Sequence, residues 1–517
     1  MTIVHILVFL LLCAIALGWL ARRWQIPYPI ALVLGGTALG FAPELPPLEF
    51  DPQLILLIVL PPVLYQAALL TSWRDFRRNS RAISLLSIGL VIATTIAVAI
   101  TAHWLIPDLS WAAAFALGAI VSPPDVVATT AILGRFKIPQ RVISILEGES
   151  LVNDATGLVL YKFAVSAALT GVFSLTEASI EFVLIAVSGV LIGVALGRIF
   201  VAIHGYLNDS LIETMLSIAL PYTAYILAES LHASGVLAVV AAGLLRARYA
   251  PEVFSPQSRM LTRSVWNMIV FLLNSLVFIL IGLQLSSIMA GLTEFRTLEL
   301  LGYAVAISAV TIATRIIWVF PSAYLPHLLS KRSPAPSWQE TSVISWCGMR
   351  GIVSLVAALA LPYFTLGGLP FPGRDLIVFL TFSVIITTLV LQGLTLPHLI
   401  RWLQLGGDWH LYHEEQTARA KLIKVALQEV EKTAVEADIP EATLEHVRWE
   451  YKARLQELEP TSLILGDIPY LHQLRLAAIA AERRELIRLW RNHEINDEVL
   501  QRIQRDLDFD ESRLTKN

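Results

Sequence analysis

The sequence predicts an all-α, polytopic membrane protein with about thirteen transmembrane helices and a helical cytoplasmic tail. The chain has 517 residues, of which 56% are hydrophobic and only 15% are charged. A soluble globular chain is nearer half apolar and a quarter charged. Long apolar runs continue to about residue 402, and charged residues are frequent beyond it. We therefore expect a transmembrane domain over residues 1–402 and a helical tail over residues 403–517.

The apolar runs have the length of membrane-crossing helices, which need roughly 20 apolar residues. The first run begins at Ile3 with no basic residue before it and no small-residue cleavage site after it. We expect it to be a retained span rather than a cleaved signal peptide. The thirteen predicted spans are 3–20, 27–43, 53–70, 82–105, 110–134, 142–170, 177–203, 211–230, 234–248, 264–290, 297–325, 340–362 and 376–400.

Basic residues are concentrated in every second predicted loop. Sixteen lysines and arginines follow the odd-numbered spans, whereas the intervening loops contain only Arg296 and Arg374. Basic loops stay on the cytoplasmic side of a membrane. This pattern predicts a plasma-membrane protein with its N-terminus outside and its tail in the cytoplasm. The charges of the tail are mixed in sign, which is typical of solvated amphipathic helices that regulate the protein or support a dimer.

Composition also excludes several classes of function. The net charge of −3 argues against a nucleic-acid partner, and Cys13 and Cys347 are too few for a disulfide framework or a cysteine metal site. The sequence offers no nucleophile–base pair and no cluster of metal ligands. We therefore expect neither an enzyme nor a bound cofactor.

The sixth predicted span carries ionisable residues at membrane depth. It contains Glu149 and Asp154, and such residues are functional candidates by default. Asp154 lies about 12 residues, or roughly 18 Å, into the helix, near the middle of the bilayer. Ser150 precedes it by one turn, so its hydroxyl shares a face with the carboxylate. These oxygens suit a hard cation, although a carboxylate held only by a neighbouring helix is the alternative.

The fifth predicted span is interrupted by two consecutive prolines, Pro123 and Pro124. Neither can donate a backbone hydrogen bond, so the helix cannot continue regularly. Irregular backbone at membrane depth is tolerated only where it is buried or lines a cavity. Asp125 follows the break, where the positive end of the next helix stabilises a carboxylate. A proline kink with an N-capping aspartate and no ion role is the alternative.

Two arginines lie inside the eleventh and twelfth predicted spans. Arg350 stands between Gly348 and Gly351 in the twelfth span, where the glycines predict a second helix interruption, and Arg315 lies in the eleventh. A charged arginine in an apolar region needs a carboxylate partner. We expect Glu149 to pair with Arg315 or Arg350 as a structural clamp, which leaves Asp154 unpaired.

The two interruptions fall at matching places in the chain. If spans 1–6 and 8–13 form two six-helix units of opposite topology, each break lies in the fifth helix of its unit. Discontinuous helices at corresponding positions of inverted repeats mark the midplane site of a transporter.

Three further charges carry weaker signals. Glu147 lies near the cytoplasmic end of the sixth span, where snorkelling explains it. Lys162, beyond Asp154 on the same helix, fits snorkelling or a contact with Glu229 better than a transport role.

These motifs resemble those of the monovalent cation:proton antiporter family, in its NhaP/NHE electroneutral branch. The resemblance extends over most of residues 1–400. Gly148–Asp154 is similar to the family's G-E-S-x-x-N-D signature, and Ser122–Asp125 to its S-P-T-D-P break. Gly348–Gly351 is similar to its G-x-R-G motif, and Pro61-Pro62 to its P-P segment.

The resemblance implies a thirteen-helix fold with a dimerisation domain, a core domain that moves like an elevator, and a homodimer in the bilayer. It implies that Asp154 carries cation and proton alternately, helped by Ser150, Asp125 and backbone oxygens near Pro123. It also implies that Glu149 is structural and that no cofactor is needed.

Three positions depart from the family pattern. Pro124 stands where the family usually has threonine, Val126 stands where it has proline, and Gln66 replaces an acidic residue that often follows the P-P segment. A side-chain ligand and a second candidate carboxylate are therefore missing, whereas Asn153 and Asp154 are present.

The resemblance therefore predicts exchange of Na⁺ or Li⁺ for H⁺, with one titrating carboxylate in the Asn153–Asp154 pair and hence one-for-one, electroneutral transport. A K⁺/H⁺ antiporter of the same fold is the first alternative. A cation channel is the second, although channels usually line their pores with rings of residues from several subunits.

Overall fold

The structure is a computed structural model, and helices account for nearly all of its regular secondary structure. It describes residues 3–24, 27–41, 52–136, 138–171, 175–207, 209–290, 292, 295–329, 336–365, 368–405, 409–437, 440–456, 468–492, 503–504 and 506–511. Within these ranges the β structure is one isolated bridge between Phe364 and Pro370. The predicted all-α class is confirmed.

Twenty-one α-helices are described along the chain. In chain order they are α1 Ile3–Arg23, α2 Tyr28–Gly40, α3 Pro52–Leu70, α4 Trp73–Arg78, α5 Ser80–Ser84, α6 Val91–Leu105, α7 Trp111–Val121, α8 Val126–Leu133, α9 Gln140–Thr170, α10 Leu175–His204, α11 Ser210–Ser230, α12 Gly235–Val253, α13 Pro256–Ala290, α14 Thr297–Leu329, α15 Trp338–Trp346, α16 Ile352–Leu359, α17 Arg374–Thr387, α18 Gly393–Leu403, α19 Trp409–Glu436, α20 Glu441–Gln456 and α21 Ile468–Arg491. Wider π-helical turns at Leu85–Leu90 and Thr388–Gln392 join α5 to α6 and α17 to α18.

The chain divides into two compact units, residues 1–407 and residues 408–517. Each of the thirteen predicted spans coincides with helical backbone in the first unit. Among the described residues, seven helices are long and apolar enough to cross a membrane by length and composition. The chain is thus an integral membrane protein with several spanning helices, and the total of thirteen stays a prediction. In the second unit, α19, α20 and α21 are helices of mixed charge.

Helices of the first unit pack as two sets. Set A comprises α1–α3 and α10–α13, and set B comprises α5–α9 and α14–α18. The sets meet where α3, α12 and α13 of set A approach α9, α16 and α17 of set B. Both predicted interruptions are present in set B, between α7 and α8 and between α15 and α16. The inverted relation of the two halves stays a prediction.

Within set A, α2 and α13 approach each other through glycines. A Cβ atom on Gly36 would overlap the backbone of Ile279, and one on Gly282 would overlap the α2 backbone at Val33 and Thr37. Lipid offers no hydrophobic driving force for such a contact, so close backbone packing has to supply the attraction. The two glycines therefore set the distance between these helices.

A valine at position 282 should push α2 and α13 apart. We expect Gly282→Val to lower stability by about 1–3 kcal/mol, the usual cost of overpacking, and to lower the thermal unfolding midpoint in detergent. Gly302→Val in α14 is the matched control, because a Cβ there meets nothing within 4 Å. Equal midpoints for the two variants would contradict this view of the contact.

Candidate functional site

The two interrupted helices cross at their breaks, and the backbone joins them there. The amide of Asp125 donates to the carbonyl of Met349 over 2.7 Å. A Cβ atom on Gly351 would overlap the carboxylate of Asp125. Only glycine at position 351 lets this side chain lie against the start of α16. The segment interrupted by the two prolines and the segment interrupted by the glycine pair therefore fit against each other in the structure.

At this crossing a positive side chain contacts the carbonyl ends of two helices, and a negative side chain contacts the amide start of a third. The buried Arg350 donates from Nε to the carbonyl of Val121 over 2.9 Å, and from its terminal nitrogens to Ser122 and Gly348. These carbonyls belong to the ends of α7 and α15, where helix dipoles are negative. Asp125 instead accepts from the amide of Val127 over 2.8 Å, at the positive start of α8.

Arg315 is the arginine that contacts Glu149. Its two terminal nitrogens donate to the two carboxylate oxygens over 2.5 and 2.9 Å, and both side chains are at most 1% exposed. Arg315 also donates from Nε and Nη2 to the carbonyl of Ile344, in α15. The pair thus links α9, α14 and α15 inside set B. Arg350, the other candidate partner, is occupied at the helix ends.

Asn153 and Asp154, neighbours on α9, have different surroundings. The side-chain amide of Asn153 donates to the carbonyl of Pro124 over 3.0 Å, which ties α9 to the break. Asp154 is 7% exposed. Its carboxylate has no hydrogen-bond or ion-pair partner among the residues that the structure describes. The amide nitrogen of Asn153 is thus engaged, although its buried Oδ1 has no hydrogen-bond partner among the described residues. The carboxylate of Asp154 is available.

A cavity of about 200 Å³ is lined by four of the five residues predicted for ion exchange. It lies between α3 of set A and α8, α9 and α16 of set B, and its lining includes Pro123, Asp125, Ser150 and Asp154. Asn153 and Glu149 do not line it. Its walls are mainly aliphatic, among them Val59, Leu60, Val63, Leu64, Ile352 and Val356.

Sequence reasoning did not place Glu147 and Gln66 at this cavity, yet both line it. Glu147 precedes Ser150 by three residues and Asp154 by seven, a spacing that puts all three on one helix face. That spacing was the available signal. Gln66 donates to the side chain of Asn267 over 2.9 Å, so it bridges α3 and α13. No comparable sequence pattern predicts this contact.

The charges of set B leave one deeply buried acid uncompensated. Glu149 has Arg315 as its partner, and Asp125 faces two helix starts. Asp154 has neither, and the hydroxyl of Ser150 lies one turn away on its cavity face. The described residues include no group of three His, Cys, Asp or Glu side chains that could hold a metal ion. The arrangement offers the carboxylate of Asp154 and the hydroxyl of Ser150 to a cation or a proton.

Comparison with known proteins assigns the family. The family model described as "Sodium/hydrogen exchanger, transmembrane" matches residues 7–402. The chain belongs to the sodium/hydrogen exchanger family. Its predicted resemblance to cation:proton antiporters is thereby confirmed.

Relatives of this exchanger are similar over nearly its whole length. It is 33% identical to the sodium, potassium, lithium and rubidium/H⁺ antiporter of Bacillus subtilis, covering 96% of this chain and 76% of that protein. It is 32% identical to an uncharacterized Na⁺/H⁺ exchanger of Mycobacterium tuberculosis, covering 98% and 96%.

A solved structure shares the exchanger's fold. The sodium proton antiporter MjNhaP1 from Methanocaldococcus jannaschii aligns with a TM-score of 0.62 and 19% identity, covering 78% of this chain and 99% of that one. At this identity the likeness shows the fold alone.

The buried Glu149–Arg315 pair should contribute strongly to stability of the exchanger. Glu149→Gln leaves a buried arginine without its counter-charge, which typically costs about 3–5 kcal/mol. Lys162→Ala is the control, because its 3.2 Å pair with Glu229 is solvated and Lys162 is 56% exposed. Exposed pairs contribute about 0–1 kcal/mol. Thermal unfolding in detergent measures both, and an equal loss for the two variants would contradict the assignment.

Proposed function

We propose that the chain exchanges Na⁺ or Li⁺ for H⁺ across the plasma membrane, with Asp154 as the group that alternately binds the cation and the proton. The observation that carries this proposal is the position of Asp154. It is a buried carboxylate that faces a cavity and lacks a partner among the described residues. A carboxylate removed from water is stabilised by a proton or by a cation, and each excludes the other.

Competition for one carboxylate is sufficient for obligatory exchange when the site opens to one side at a time. Ser150, Asp125 and Pro123 line the same cavity, so their oxygens complete the proposed shell. The carbonyl of Pro124 accepts from Asn153. It is therefore the less available of the two proline carbonyls for a cation.

Charge balance supports one-for-one, electroneutral exchange. Asn153 is neutral, Glu149 is paired with Arg315, and Asp125 is held at two helix starts. One titrating carboxylate remains at the buried end of the cavity. It releases one proton for each monovalent cation that it takes up, so the charge of the site is the same in both loaded states.

The position of the cavity between the two helix sets supports a proposal of alternating access. Sliding of set B against set A would carry Asp154 with the crossed breaks and close one entrance while opening the other. Resemblance to the family supports such an elevator-like movement and a homodimer in the lipid bilayer. The basic loops support an external N-terminus and a cytoplasmic tail.

A K⁺/H⁺ antiporter is the second candidate. The relative from Bacillus subtilis is named for sodium, potassium, lithium and rubidium. An oxygen shell of carboxylate, hydroxyl and backbone oxygens has little to reject a larger alkali cation. Comparison of Na⁺, Li⁺ and K⁺ in the transport assay distinguishes the two candidates.

Removing the carboxylate of Asp154 should abolish transport without unfolding the protein. In proteoliposomes with a trapped pH dye, we expect Asp154→Asn to lower Na⁺-driven proton movement to the leak of protein-free vesicles. An amide carries no negative charge and has no acidic proton to exchange. Asp375→Asn is the control, since Asp375 is 56% exposed beside Arg374. Normal exchange by Asp154→Asn would refute the assignment.

A further inference from the structure

The signature on α9 presents two faces with different surroundings. Gly148, Glu149 and Asn153 face protein, because Gly148 packs against Ile83 and Phe76 and the other two are held by Arg315 and Pro124. The opposite face lines the cavity with four residues at helical spacing: Glu147, Ser150, Leu151 and Asp154. Positions i, i+3, i+4 and i+7 form one stripe along a helix. Glu147 thus lies on the same stripe as Asp154.

Glu147 has no counter-charge within the described part of the chain. It is half-buried, and no hydrogen bond or ion pair joins it to another described residue. None of the described residues that line the cavity is basic. Two other acids of the first unit do have cations nearby: Glu149 has Arg315, and Glu340 has Arg141. The cavity therefore presents a second carboxylate that the described residues leave without a counter-charge.

The separation of the two acids defines what Glu147 can do. Seven residues along a helix correspond to about 10 Å, too far for both carboxylates to ligate one cation. Glu147 is nearer the start of α9 and more exposed than Asp154. Ser150 lies between them on the stripe. A cation moving from Glu147 to Asp154 therefore passes a hydroxyl oxygen midway.

Apolar walls strengthen the field of a lone charge. Low-dielectric walls around a charged cleft focus field lines and raise the local concentration of counter-ions. Gln66 and Thr130, two polar residues of the lining, are already engaged, with Asn267 and with carbonyls of α8. Glu147 is therefore the lining residue whose charge can attract a cation into the part of the cavity near the start of α9.

We propose that Glu147 is a positioning residue that draws the monovalent cation into the cavity and holds it before it reaches Asp154. This inference rests on the proposed function. Snorkelling, the explanation that sequence alone favours, would direct the carboxylate to bulk water. Its place in the cavity lining supports a role in the cation path instead.

The test compares apparent KM and maximal rate for Na⁺ in proteoliposomes. We expect Glu147→Gln to raise the apparent KM about three- to tenfold, a modest share of what charged clefts supply, with a maximal rate within about twofold of wild type. Choline chloride at high ionic strength should shrink the difference, because salt screens solvated charges. Glu147→Asp, which keeps the charge, should restore most of the affinity.

The matched control is Glu340→Gln, which removes a carboxylate that lies 3.9 Å from Arg141 and outside the cavity lining. Its KM should equal that of wild type. An unchanged KM in Glu147→Gln, a fall in maximal rate alone, or an equal defect in Glu147→Asp would overturn the inference while wild-type exchange continues. Absence of exchange by the wild type would instead overturn the proposed function and this inference with it.

Discussion

The crossing of two broken helices at membrane depth is the constraint on which the rest of the structure depends. Backbone groups there have no water to bond, so each free helix end needs a partner from the protein. Arg350 supplies donors to the carbonyl ends, and Asp125 supplies an acceptor to the amide ends. The amide of Asp125 and the side chain of Asn153 add two further bonds across the breaks.

These commitments determine which residues remain available for chemistry. Arg350 is fully engaged at the crossing, so Arg315 is left to neutralise Glu149. The side-chain amide of Asn153 donates a hydrogen bond to the carbonyl of Pro124. Asp154 is the remaining buried acid of α9, and the cavity beside it is where the two helix sets meet. Asp154 is thus the buried acid of this helix that takes no part in the hydrogen bonding of the helix breaks.

Sequence alone could predict the local features because their causes are local. Two consecutive prolines interrupt a helix wherever they occur, and the glycines around Arg350 do so beside a charged residue that needs partners. The all-α class and the family resemblance, both confirmed, followed from long apolar runs and contiguous motifs. The helix breaks at 122–125 and 347–351 lie where those residues predict.

Other features depend on how distant helices cross, and no local signal encodes that. From the sequence, either Arg315 or Arg350 could have formed the ion pair with Glu149. The packing of α14 against α15 places Arg315 in that position. Glu147 resembles a snorkelling residue until α3 and α16 enclose a cavity beside it. The contact between Gln66 and Asn267 joins residues 201 positions apart.

The central claim is that one carboxylate, Asp154, holds either a cation or a proton. The most direct measurement is the number of protons released when Na⁺ binds to the detergent-solubilised protein, from calorimetry in buffers of different ionisation enthalpy. The account predicts that proton release approaches one per Na⁺ bound at a pH where the carboxylate is protonated before Na⁺ binds, and it predicts neither binding nor release in Asp154→Asn. Binding without proton release, or the same release from Asp154→Asn, would contradict it.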